Sequence, residues 1–249
     1  MATEVRTEIT ERVAVLTLVN PQRRNAMNLE LSGLLVEALD RCAADQGVGA
    51  IVITGAEPAF CAGGDLGELG GADPDVLRRV YAGFLAVAEH PLPTVAAVNG
   101  AAVGAGLNLA LACDVRLAGP QARFDTRFLP LGLHPGGGYT WMAQRVLGYQ
   151  RAAAMTLFGE VADAAEALRI GLVHRVADDV LGAAVELAGR AAGLPRELAV
   201  TTKASMRLTA GMTSQHQAVE VEVRAQAASV GSEEFQRRLA ALHASIRSR

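Results

Sequence analysis

The sequence predicts an α/β fold followed by a helical C-terminal region. Three observations carry that expectation. Short apolar runs that read as buried strands alternate with stretches of helical period up to about residue 176. Two of those runs lead straight into glycine-rich turns and then into helix-like segments. From residue 178 onward the pattern is helical throughout. The expected organisation is a core over residues 1–190 and a helical region over 191–249.

Residues 5–10 and 13–19 alternate or run apolar around Glu11-Arg12, the pattern of a β-hairpin. Asn20-Pro21 closes it, because proline cannot continue a hydrogen-bonded ladder. Asn28 is placed to cap a helix reaching about residue 44, with Glu30 in its first turn and Leu31, Leu34, Leu35, Ala38 and Leu39 in helical period. Residues 50–54 read as a short buried strand and 55–60 as a loop. Residues 70–74 are rich in breakers, and Asp73 or Asp75 caps a helix over 76–89 that Pro91 and Pro93 stop. A strand over 94–98, a short helix to 112 and a strand over 114–118 follow. Residues 121–133 are irregular. Helices are expected over 136–147, 149–158 and 162–169, punctuated by Gly148, Gly159 and Gly171, with a last strand over 172–176. The tail reads as helices over 180–192, 197–208, 213–229 and 232–246.

Composition narrows the function classes. Of 249 residues, 51% are hydrophobic, enough for a substantial core. A net charge of −3 and a pI near 6.0 leave no electrostatic footprint for nucleic acid or an anionic membrane. The N-terminus is polar, and no apolar run approaches the roughly 18 residues that span a bilayer, so a cytoplasmic protein is expected. Cys42, Cys61 and Cys113 have no metal-like spacing, and their odd number argues against a disulfide framework. Cys61 sits in a tight turn with no histidine near it in sequence, which favours a space-filling thiol over a nucleophile. A dinucleotide fingerprint fails for want of its third glycine, and no nucleophile elbow or metal-ligand cluster occurs.

The chemistry concentrates in two glycine-rich pieces. The first is Phe60-Cys61-Ala62-Gly63-Gly64-Asp65-Leu66. The second runs from Ala97-Val98-Asn99-Gly100 through Ala101-Ala102-Val103-Gly104-Ala105-Gly106-Leu107-Asn108. A strand, a glycine turn and a helix start leave backbone N–H groups unpaired and converging, which suits an anion or a developing oxyanion. Taken singly, each piece also reads as a tight turn in which glycine permits positive φ.

Together, at this spacing, the pieces resemble the paired oxyanion-hole motifs of the enoyl-CoA hydratase/isomerase (crotonase) superfamily. The resemblance runs from about Val13 to the C-terminal helices. It includes Arg24-Asn25-Ala26-Met27-Asn28, similar to the family's CoA-side loop, and His134-Pro135-Gly136-Gly137-Gly138, similar to its proline-glycine helix start. The resemblance implies a spiral of β-β-α units whose C-terminal helices assemble a homotrimer or a dimer of trimers. It implies an acyl-CoA or enoyl-CoA substrate, with coenzyme A entering as part of the thioester and no separate cofactor or metal. The oxyanion donors it implies are the backbone N–H groups of Ala62 and Ala105. Arg24, Ala26, Gly63, Asp65, Leu66 and Lys203, the only lysine, are the implied CoA-side residues, although Asp65 equally suits a helix cap and Lys203 an ordinary solvated surface.

The chain departs from the family pattern where protons move. Hydratases of this family hold water between two glutamates, and those places are Asn108 and Phe128 here, neither of which titrates near neutrality. His134 is the leading substitute base, with Asp125 to orient it; the alternative is that Asp125 and Arg127 form an ion pair that braces the loop. Asn108 is placed to hydrogen-bond the thioester or its acyl group without titrating. Tyr139 falls in the same segment, Glu68 could reach the mouth, and Phe128 and Trp141 shape the acyl pocket or fill core. The expected function is acyl-CoA thioester processing under an enoyl-CoA hydratase label, with hydratase turnover weak or absent. The alternatives are an acyl-CoA-binding protein or another reaction of the family (isomerase, decarboxylase, thioesterase).

Overall fold

The computed structural model describes residues 2–71 and 73–247. Strands β1 (Glu4–Thr10) and β2 (Val13–Val19) pair antiparallel, from Thr10 against Val13 to Glu4 against Val19. Glu11 and Arg12 between them have φ of 47° and 69°, the left-handed pair that lets a two-residue turn follow the strands' twist. Helix α1 (Leu29–Ala44) starts where the Asn28 Oδ1 accepts the Leu31 N–H at 2.8 Å, and it buries Leu31, Leu35, Ala38 and Leu39.

Three similar passages follow. β3 (Ala50–Gly55) leads to β4 (Ala59–Cys61), a one-turn helix α2 (Leu66–Leu69) and α3 (Pro74–Glu89). β5 (Thr94–Val98) leads to β6 (Ala101–Val103) and α4 (Ala105–Ala112). β7 (Val115–Ala118) leads to β8 (Arg123–Asp125) and α5 (Tyr139–Leu157). β9 (Ala162–Asp163), α6 (Ala164–Arg169), β10 (Arg175–Val176) and α7 (Val180–Ala192) complete the core. The first strand of each passage joins a six-stranded sheet ordered β1-β2-β3-β5-β7-β10, and the second joins a four-stranded sheet ordered β4-β6-β8-β9. Each β-β-α passage thus adds one parallel strand to both sheets and then covers them with a helix, which is a spiral.

β3 is buried along its whole length, which explains why it reads as a continuous apolar run. Val180, Ala184, Ala188 and Ala192 of α7 pack on Val52, Val95, Ala97 and Leu117 of the long sheet. The short sheet was not expected as such. β4 falls in a stretch read as loop and β8 in one read as irregular, because three residues are too few to show a period of two. A second difference lies at residues 136–138, expected as helix. Gly137 and Gly138 have φ of 63° and 79°, so α5 begins only at Tyr139. Gly148, at φ 73° and ψ 164°, breaks α5 where the sequence places a stop.

The chain forms two compact units, the first ending at Ala192 and the second beginning at Gly193. The second consists of α8 (Arg196–Thr209), α9 (Gln215–Val230) and α10 (Glu233–Arg247), with α9 packed on both α8 and α10. No residue of α9 is buried, and Val219, Val223 and Val230 are exposed on it.

Candidate active site

The first glycine piece leaves the end of β4 and is held by a loop nearly 40 residues earlier. Asn25, fully buried, accepts the Asn20 N–H at 2.9 Å and donates to Ala56 O and Ala59 O at 2.7 and 2.8 Å, tying residues 20–26 to the approach to β4. Met27 then pairs with the turn: its N–H donates to Gly63 O at 2.7 Å, and its carbonyl accepts the Asp65 N–H at 2.8 Å. The Gly64 N–H between them has no acceptor among the described residues. The Ala62 N–H donates to Arg24 O at 3.0 Å. That bond corrects the expectation at Ala62, whose N–H is already committed to the protein. Gly64 offers this piece an uncommitted donor.

The second piece turns sharply at Gly104, whose φ of 49° an L side chain rarely adopts and whose N–H donates to Asp125 O at 2.9 Å. Ala105 opens α4, so its N–H has no partner within the helix, and none is made elsewhere among the described residues. At Gly106 a Cβ would lie 2.0 Å from the Cys61 carbonyl oxygen. The absence of a side chain there lets α4 sit directly on the end of β4, which brings the two pieces together. Gly64 and Ala105 line one cavity, with α4 presenting the positive end of its dipole.

The cavity measures ≈ 520 Å³, a size that suits a small ligand or part of a larger one. Val80 and Tyr81 of α3 and Phe128, Leu131 and Leu133 of the segment after β8 give it an apolar wall. Arg24, Arg123 and Arg127, all exposed, stand along it against a single carboxylate, Asp125. Of the residues expected from sequence, Ala62, Gly63, Leu66, Ala105, Asn108, Asp125, His134 and Arg24 all line this space. Ala26 does not; it is buried in the loop behind. Asp65 does not either: its Oδ1 accepts the Gly67 N–H at 2.8 Å and caps α2. Lys203 belongs to α8 in the second unit, whereas the cavity is lined by the first.

Asn108 is 2% exposed on a helix that is otherwise apolar and buried. Its Nδ2 donates to Gly136 O at 2.9 Å, and its Oδ1 is buried with no donor. Phe128 lines the cavity with its ring 5.5 Å from that of Tyr139, which is itself buried and bonded to Thr156. Asp125 does not orient His134. Its Oδ2 accepts the Arg127 Nε at 3.1 Å and Nη2 at 2.5 Å, the loop-bracing ion pair. His134 is exposed, with Nδ1 2.7 Å from Pro135 O. A carbonyl only accepts, so Nδ1 carries the proton and neutral imidazole keeps a free lone pair on Nε2.

Three further side chains sit differently from expectation. Trp141 is 59% exposed beneath the Arg145 guanidinium, 3.7 Å above its ring, and does not shape the cavity. Glu68 accepts the Leu29 N–H at 2.8 Å and serves the start of α1. The Cys61 thiol is pushed up to about 11 by burial, partly offset by its backbone surroundings at Gly63 and Met27, and it stays protonated and inert. Sequence reasoning missed Gly64, Arg123 and Tyr81. Tyr81 lines the cavity with its hydroxyl 2.3 Å from where a Cβ on Gly136 would sit, and it makes no hydrogen bond among the described residues. Its signal is faint: one aromatic on a helix whose partner glycine lies 55 residues later. No group of three potential metal ligands occurs among the described residues.

The enoyl-CoA hydratase/isomerase family model matches residues 8–244, which takes in both glycine pieces and every cavity residue. The chain belongs to the enoyl-CoA hydratase/isomerase family. Within that family it is 54% identical over 243 residues to a probable enoyl-CoA hydratase of Mycobacterium tuberculosis, covering 94% of each chain. It is also 38% identical over 175 residues to the 1,2-epoxyphenylacetyl-CoA isomerase of Escherichia coli, covering 67% of each. The crystal structure of an enoyl-CoA hydratase from a Polaromonas species superposes with a TM-score of 0.91 at 29% identity, over 97% of each chain. The spiral is therefore the family's fold.

Proposed function

We propose that this family member is an acyl-CoA thioester enzyme whose cavity places the thioester oxygen between the N–H groups of Gly64 and Ala105. The observation that carries the reading is the pair of uncommitted backbone donors lining one cavity, the second at the start of a buried helix. Two such donors stabilise the enolate that forms when a proton leaves the carbon next to the thioester; loss of one typically lowers the rate about 10²–10³-fold. Arg24 and Arg123 suit the phosphates of coenzyme A, which enters with the substrate, so the reaction needs no separate cofactor.

The proton acceptor in this reading is His134, whose Nε2 lone pair is free and whose side chain lines the cavity. Hydration by two carboxylates is not served, because Asn108 and Phe128 occupy those places. The relatives' hydratase names support acyl-CoA chemistry, and the isomerase among them shows that the same frame accompanies another reaction. No helix among the described residues is long and apolar enough to cross a membrane, and three free, buried thiols suit a reducing compartment, so we place the protein in the cytoplasm. The exposed apolar residues of α9 are the expected contacts of a homotrimer or a dimer of trimers.

The test is twofold. Butyryl-CoA in D2O reports enolate formation as deuterium exchange at the carbon next to the thioester, and crotonyl-CoA hydration reports water addition. Exchange by the wild type that falls about 10²-fold in His134→Ala, with hydration far below that of an active hydratase, supports the reading. Hydration near the reference enzyme's overturns the assignment of Asn108 and Phe128. Binding without exchange leaves an acyl-CoA-binding protein.

A further inference from the structure

Strand β1 is the outer strand of the six-stranded sheet, and β2 is its one strand neighbour among the described residues. The hairpin decides which of its backbone groups are left over. Glu11 and Arg12 form a two-residue left-handed turn, so Thr10 and Val13 exchange both of their hydrogen bonds, and every second pair along the ladder does the same. Glu4, Arg6, Glu8 and Thr10 therefore bond to β2, whereas Val5, Thr7 and Ile9 turn their N–H and C=O groups outwards. The next strand agrees. Leu18, opposite Val5, directs its carbonyl away from β1 and accepts the Ala56 N–H at 2.8 Å. The backbone of Val5, Thr7 and Ile9 has no hydrogen bond among the described residues.

Proteins ordinarily blunt such an edge with a bulge, a proline or lysines. β1 has none of these, and its seven residues run in unbroken register. Its charges alternate instead. Glu4, Arg6 and Glu8 stand on an exposed face with Thr10, while Val5, Thr7 and Ile9 stand on the other. This pattern is self-complementary. An antiparallel second copy centred on Thr7 spans the whole strand and sets Arg6 opposite Glu8, Val5 opposite Ile9 and Glu4 opposite Thr10. Its hydrogen bonds fall at Thr7 and at the Val5–Ile9 pairs, so they use the outward groups alone. Ile9, 52% exposed, is covered by Val5 of the second copy. The neighbouring registers fail on charge. Centring on Arg6 sets Arg6 against itself and Glu4 against Glu8, and centring on Glu8 sets Glu8 against itself; like charges directly opposite are destabilising. We propose that the outer edge of β1 pairs antiparallel with β1 of a second copy of this chain, about a two-fold axis at Thr7. The surface contains no residue of the cavity or of α9, so the inference does not rest on the acyl-CoA reading. Exposed ion pairs contribute little affinity and chiefly fix register, so the association is weak and reversible.

The test follows the full chain across a range of protein concentrations, with its mass read by analytical ultracentrifugation and amide hydrogen exchange over residues 4–10 read by mass spectrometry. The expected result is a doubling of mass on concentration, with exchange over 4–10 slowing in step. Arg6→Glu and Glu8→Arg, both at exposed positions, each set like charges opposite one another and are expected to raise the dissociation constant about tenfold or more. Mixed together, the two variants again set opposite charges across both pairs, and the doubling is expected to return. It is expected to return as well in the chain that carries both substitutions. Mass and exchange that do not differ between the wild type and the single variants overturn the proposal, and leave the edge to an extended segment of another protein. A loss that neither mixing nor the double substitution repairs overturns the register centred on Thr7.

Discussion

The two sides of the cavity are built on different principles. On one side, Gly64 and Ala105 offer backbone N–H groups to the cavity, and their side chains contribute a hydrogen and a methyl. On the other, the work falls to side chains, and in the proposed reading Asn108 of α4 and Phe128 of the segment after β8 stand where the family's acids would be. A function carried by the backbone survives wherever the turn survives. A function carried by a side chain changes with a single substitution. In the proposed reading the binding half of the site is therefore kept and the proton-transfer half rewritten.

The sharpest way to break this contrast is to remove a backbone donor. Ala105→Pro deletes the N–H at the first position of α4, where proline is compatible with helix. Turnover is expected to fall about 10²–10³-fold while acyl-CoA binding, read by calorimetry, changes far less. On the side-chain half, Asp125→Asn is expected to weaken the ion pair to Arg127 and leave deuterium exchange within about tenfold of wild type, a smaller loss than His134→Ala. An equal loss in both variants would make Asp125 a second proton-transfer group.

The contact that joins the two halves is tested by stability. Gly106→Ala places a Cβ 2.0 Å from the Cys61 carbonyl and is expected to destabilise the fold by about 3 kcal/mol, measured by thermal denaturation. Gly132→Ala, with φ of 70° but open space around it, is expected to lose only about 1 kcal/mol. Similar losses would mean that the packing of α4 on β4 yields easily. The smallest effect concerns Cys61. Its folded-state pKa of about 11 exceeds the ordinary 9.0, so the native state holds the proton longer than the unfolded chain does. Stability is then complete below about pH 9 and declines towards about pH 11, and Cys61→Ala is expected to show a shallower decline in denaturant titrations across that window.

Much of the fold was legible because local chemistry decides it. Asn28 and Asp73 cap α1 and α3, and β3 declares itself by an unbroken apolar run. The short sheet was not legible, since β4, β6 and β8 have three residues each and are defined by their neighbours. The same division runs through the site. Glycine spacing located the cavity, but which N–H faces it depends on Arg24 and Met27, far away in sequence, which take up Ala62 and Asp65 and leave Gly64 open. Asp125 was placed on the right wall, and of the two partners the sequence offers it, His134 and Arg127, it takes Arg127, two residues away with φ of 53°.

The charged rim of the cavity has one more consequence. Arg24, Arg123 and Arg127 supply its positive charge, and no lysine lines it. A thioester is an acylating agent, and a lysine amine held beside one is a nucleophile whenever it sheds its proton. A guanidinium keeps its proton at any physiological pH and attacks nothing. For the substrate proposed above, an arginine rim would attract its phosphates without offering the reactive carbonyl an amine to acylate, so the site would resist inactivation by its own substrate.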